Sequence, residues 1–133
     1  MKEHYVSYSQ AVALKRLGFK EETTHYYVKF KSDGEVKLWS CNPPDNHNAR
    51  LSTNEVCSAP RLDQAQKWLR EKKKWHIIVE PRIWEQQVYD FKLWHYYRGY
   101  ENANRGLDYL SYESALSAGI DKALELLGKE IKE

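Results

Sequence analysis

Cys41, His47 and Cys57 are the side chains of this 133-residue chain whose types suit zinc binding or a nucleophile with its base. Structural zinc sites draw their ligands in pairs two to four residues apart. Here the gaps are wider and no fourth ligand is near, so the spacing reads as two unrelated thiols and a surface histidine, with no metal. The sequence holds no Gly-x-Ser-x-Gly elbow, no glycine-rich phosphate loop and no His-Glu-x-x-His. Glu80, Glu85 and Asp90 are the carboxylates nearest to an acid–base pair, but no supporting group accompanies them. Charged residues of this kind usually end strands in solvent. The chain therefore reads as a non-enzyme, and no cofactor is implied.

Two groups of residues suit binding instead. Arg70, Lys72, Lys73 and Lys74 form a basic run followed by Trp75 and His76. With Arg61, Lys67 and Arg82 they make a candidate phosphate patch, and Trp75 is then available for base stacking. The plainer reading is a helix end, because cations there complement the helix dipole. A formal net charge of +2 neither supports nor excludes nucleic acid, since phosphate binders usually carry a larger and more clustered excess. The second group is aromatic. Five Trp, ten Tyr and three Phe stand against one Met, and such residues serve both cores and binding surfaces. Tyr27, Trp39, Trp94 and Tyr96 fall on strand faces opposite the most apolar residues. If helices cover one face of a sheet, these four form an exposed interaction surface. Coverage of the second face by a loop or helix stays open.

These side chains must be positioned by helices and strands that the sequence announces. Ser7 and Gln10 form a capping box, Val6 and Ala11 a staple, and Ala11, Leu14 and Leu17 a buried stripe. Gly18 then stops the helix, with Phe19 folding back on Leu14. Residues 24–30 and 35–40 alternate around Ser32-Asp33-Gly34, which predicts a hairpin. Residues 41–59 show no periodicity and read as a mobile loop. A second helix spans residues 62–73, with Leu62, Ala65 and Leu69 on its face and Pro60 at its start. Strands over 76–80 and 87–97 follow, with Ile77 and Val79 on one face of the first. Residues 98–108 read as a loop. The last helix runs from Ser111 to about Leu127, ended by Gly128. Gly119, in its middle, costs roughly 1 kcal/mol relative to Ala, which a helix tolerates where a close neighbour needs the space.

The length fits one domain, residues 1–133. The order α-β-β-α-β-β-α predicts an α+β fold: one antiparallel sheet of about four strands with three helices on one face. The first two parts look like a weak repeat of one α-β-β unit. No apolar run approaches the roughly 20 residues needed to span a bilayer. Residues 1–5 lack the apolar core of a signal peptide, so a cytoplasmic protein with reduced thiols is expected.

Residues 65–71 (AQKWLRE), 111–120 (SYESALSAGI) and 11–19 (AVALKRLGF) carry a resemblance. The chain resembles a family of small uncharacterised proteins of gut anaerobes and of their phages and prophages. The shared motifs are structural, so no catalytic residue is carried over. What the resemblance implies is a cytoplasmic accessory protein of a mobile element. The leading expectation is a protein-interaction module that takes a protein partner or a second copy, as a homodimer, through Tyr27, Trp39, Trp94 and Tyr96. The alternative is a nucleic-acid-binding accessory protein using the basic end of the second helix, with no role at a membrane in either case.

Overall fold

The first helix, α1 (Tyr8–Arg16), begins where Ser7 Oγ accepts the Gln10 N–H and Gln10 Oε1 accepts the Ser7 N–H. That is the reciprocal box expected from the sequence. It ends as a Schellman motif: Phe19 N–H donates to Leu14 O at 3.0 Å and Gly18 N–H to Lys15 O at 3.1 Å. Gly18 takes the left-handed φ of +94° that this ending requires. The computed structural model describes residues 4–49, 55–83, 88–101 and 109–132. It divides into two compact units, residues 1–61 and 62–133, each with its own sheet.

In the first unit α1 leads into β1 (Thr23–Lys29), β2 (Val36–Asp45), a 3-10 turn (His47–Ala49) and β3 (Val56–Ser58). The strands are antiparallel in the order β2-β1-β3. The register sets Tyr26 opposite Trp39 and Ser58, and Tyr27 opposite Leu38 and Cys57. α1 covers the Tyr27 face, where Tyr27 OH donates to Val6 O at 2.6 Å and Tyr8 meets the Tyr27 ring edge-on. Ala11, Leu14 and Cys57 are fully buried. Beyond Ser40 the outer strand β2 shifts register before Asp45 pairs with Thr23, and Pro43 and Pro44 sit in that irregular stretch. An edge strand tolerates prolines, because its outer N–H groups have no ladder partner.

Residues 41–59 thus carry regular structure that the sequence reading left out: the end of β2, the 3-10 turn and β3. Polar side chains fix them. Asn48 Nδ2 donates to Phe19 O and Asn48 Oδ1 accepts the Ser58 N–H, both at 2.9 Å, while the His47 N–H donates to Ser58 Oγ at 3.1 Å. Residues 50–54 lie outside the described residues.

The second unit runs α2 (Leu62–Lys73), β4 (Trp75–Ile83), β5 (Val88–His95), β6 (Gly99–Glu101) and α3 (Tyr112–Lys132). Its strands form an antiparallel meander, β4-β5-β6. The α+β class and the three helices stand as expected. Strand count and order fit approximately, but among the described residues the strands form two antiparallel sheets of three and not one of about four. The added strands, β3 and β6, have three residues each, too short for alternation to show in the sequence.

Trp75, Ile77, Phe91 and Leu93 line the buried face of the second sheet, with Leu116, Ile120, Ala123 and Leu127 of α3 buried as well. Ser111 caps α3, its Oγ accepting the Ser114 N–H at 3.1 Å. α3 passes through Gly128, expected to end it, and continues to Lys132. α2 buries Leu62, Ala65, Trp68 and Leu69, and Gln66 Nε2 donates to Ile77 O on the outermost strand at 2.8 Å. Among the described residues no helix is long and apolar enough to cross a membrane.

α3 approaches the sheet most closely at Gly119. A methyl group there would stand 2.5 Å from Ile77 Cγ2 and 3.3 Å from Phe91 Cδ2, whereas one at Gly128 would meet nothing within 4 Å. Gly119→Ala gains helix propensity of about 0.5–1 kcal/mol but forces overpacking of about 1–3 kcal/mol. Urea denaturation should show Gly119→Ala destabilised and Gly128→Ala stabilised by about 0.5–1 kcal/mol. Equal gains at both positions would contradict the close packing at Gly119.

Candidate recognition face

In the second unit the residues that alternate with the core fall in cross-strand rows. His76 of β4 stands opposite Trp94 of β5, and Trp94 opposite Tyr100 of β6. The next row pairs Ile78 with Lys92, and the next Glu80 with Asp90. Trp94 meets His76 edge-on at 5.1 Å between ring centroids and Tyr96 at 5.7 Å. Tyr96 begins the β5–β6 turn, and its N–H still pairs with Lys74 O at 3.0 Å. Tyr96, Tyr97 and Tyr100 are 60%, 77% and 71% exposed. The sequence therefore placed Trp94 and Tyr96 on the face away from the core.

His76 and Tyr100 are part of this row, though the sequence reading gave neither to the aromatic surface. Tyr100 was lost in a stretch read as loop. The available signal was Gly99, which takes φ +76° directly after the turn residues Tyr96, Tyr97 and Arg98, where the chain re-enters the sheet.

The basic end of α2 lies beside the aromatic row, because Lys74 alone separates α2 from β4. Lys74 adopts φ +64°, a left-handed conformation that costs a non-glycine residue roughly 1–2 kcal/mol. Its ammonium donates to Glu71 O at 3.0 Å, satisfying a carbonyl of the helix end. Arg70 and Lys72 are exposed, and Glu71, the carboxylate of this last turn, pairs with Lys67 at 3.7 Å. Lys73 stands over the Trp68 ring at 5.7 Å. Trp75, proposed from sequence for base stacking, is 2% exposed and belongs to the core. Strand alternation explains this: His76, not Trp75, points away from the helices.

Charge is graded along the face. Partial burial, then the Arg70 charge, lowers the His76 pKa, which favours the uncharged ring in the row. Lys92 donates to Glu80 at 3.0 Å, and that hydrogen bond raises the lysine pKa. The far end of the face is thus acidic or paired, and the aromatic end is basic.

The first unit separates the other two predicted aromatics. Tyr27 lies under α1, while Trp39 lies on the opposite face with Tyr26 and Phe30, at ring distances of 6.4 and 5.9 Å. Tyr27 does not belong to an exposed surface: burial raises its pKa, and its hydroxyl is held by Val6 O. On the Trp39 face His47, fully buried, stacks on Tyr26 at 4.3 Å.

Cys41 and His47, read as unrelated, are neighbours. Cys41 Sγ is 3.1 Å from His47 Nε2, which lies 3.2 Å from Thr23 O, and Sγ is 3.4 Å from Pro43 O. Carbonyl acceptors surround the pair, so it ties the irregular end of β2 to the 3-10 turn. Cys57 lies on the opposite face, its thiol pKa raised by burial against the lowering effect of Lys15. Among the described residues no three His, Cys, Asp or Glu side chains gather as metal ligands. Asp90 stands opposite Glu80, while Glu85 and the Arg82 side chain lie outside the described residues. A depression of about 320 Å³ beside Tyr8, Phe30 and Gly34 has Lys29, Lys31 and Glu55 on its rim, with Lys31 and Glu55 paired at 3.6 Å.

Comparison with protein-family models, curated proteins and solved structures returns no match.

The place of Arg70 beside the row has a measurable consequence. In an NMR titration His76 should protonate below its ordinary value near 6.5, and Arg70→Gln should move the midpoint upward. The lowered pKa makes the folded state the poorer proton binder. Stability linked to His76 is therefore present above pH 6.5 and lost as pH falls through the folded-state pKa. An unchanged midpoint in Arg70→Gln would remove Arg70 from the face.

Proposed function

We propose that this protein is a non-catalytic recognition module whose working surface is the open face of the sheet in residues 62–133. As the family resemblance implies, it acts as a cytoplasmic accessory of a mobile element. One observation carries the reading: His76, Trp94 and Tyr100 are in cross-strand register on the face away from α3, flanked by Tyr96. Large aromatic rings left in water are unfavourable unless another surface covers them, and Trp and Tyr are the residue types that most often dominate binding energy. Two expectations that were separate in the sequence, aromatic recognition and a basic α2 terminus, here meet at one end of one sheet.

The reading requires that the exposed tyrosines serve a ligand and not the fold. A Tyr96→Ser/Tyr100→Ser variant should keep its unfolding free energy within about 1 kcal/mol of the parent, as surface substitutions do. A loss above about 3 kcal/mol in urea denaturation would make these rings part of a core and overturn the proposal.

A further inference from the structure

We infer, building on this face as a recognition surface, that its ligand is a single-stranded nucleic acid. About two or three bases would stack on Tyr96, Trp94 and Tyr100, with their phosphates at Arg70, Lys72 and Lys74. Every base offers a π-face, so exposed tyrosine and tryptophan rings accept unpaired bases with little regard to sequence. Tyr96 and Tyr100 leave most of their surface to solvent, and Trp94 contacts the first and stands opposite the second.

The charges favour nucleic acid over an ordinary protein surface. Among the described residues Arg70 and Lys72 make no ion pair, and Glu71 is already held by Lys67. Lys74 uses one ammonium donor on Glu71 O and keeps two for a phosphate. At the other end of the face Lys92 is already held by Glu80, and Asp90 leaves a net negative charge that disfavours a phosphate backbone, which confines the strand to the aromatic end. A duplex keeps its base faces stacked inside and presents only phosphates and groove edges, so the exposed rings select for single strands.

Fluorescence anisotropy with labelled oligo(dT), oligo(rU) and a duplex of equal length, each about 15 nucleotides, tests the inference. Both single strands should bind at least tenfold more tightly than the duplex. The slope of log affinity against log salt should be about −2, for three neutralised phosphates on a single strand. Tyr100→Ala should weaken binding about 5- to 150-fold. Lys72→Glu should weaken it and flatten the salt slope. Lys74→Gly should weaken it while leaving the protein at least as stable, because glycine suits the left-handed φ. That variant separates lost charge from lost fold. Absence of single-strand binding at low salt overturns the inference, as does equal duplex affinity with Tyr100→Ala silent. In the former case, sedimentation that shows self-association lost in Trp94→Ala makes the occupant a second copy and keeps the recognition reading. Unfolding of the Tyr96→Ser/Tyr100→Ser variant removes both.

Discussion

The approach of α3 to its sheet at Gly119 is the contact on which the second unit depends. With no Cβ at that position, the helix backbone comes down onto Ile77 and Phe91. Leu116, Ile120 and Ala123, spaced around it, then fill the face that Trp75 and Leu93 complete. α2 lies against the outermost strand, where Gln66 satisfies Ile77 O. With the core on one side of the sheet, β-strand alternation sends His76, Trp94 and Tyr100 to the other. The candidate face is thus a geometric consequence of how tightly the covered face is sealed.

Helix ends were the most legible part of the sequence because their signals are local. Ser7 and Gln10, Gly18 and Phe19, and Ser111 each act within one turn of chain, and each behaves as its type demands. Gly128 misled because a glycine stops a helix only when the backbone turns left-handed there, which neighbouring residues do not decide. The short strands β3 and β6 were hard to read for a related reason. Val56–Ser58 and Gly99–Glu101 become strands by pairing with β1 and β5, and apart from the turn glycine Gly99 before β6 no property of three residues announces such a partner.

The candidate site was half legible. Both faces of β5 are partly apolar in the sequence, yet alternation set Trp94 and Tyr96 apart from Phe91 and Leu93, which are the buried side. In β1 the same reasoning failed for Tyr27. Val28 looked like the core residue, yet α1 covers the face of Tyr27, whose hydroxyl finds a backbone partner there in Val6 O. A tyrosine that can hydrogen-bond a backbone carbonyl is as good an interior residue as a valine. The neighbourhood of Cys41 and His47 was beyond reach because an irregular strand end, not a motif, brings them together.

The outer strands bear on how such a surface could meet another chain. A sheet edge with free N–H and C=O groups invites another strand to join, and a chain rich in exposed tyrosine would stack readily once joined. Here β2 is interrupted by Pro43 and Pro44, β4 carries Pro81 and has Ile77 O taken by Gln66, and β3 and β6 have only three residues each. Among the described residues each outer strand is thus short, interrupted by proline or partly capped. A partner of the proposed face would therefore come onto the flat of the sheet, where its rings are displayed, and not onto an edge.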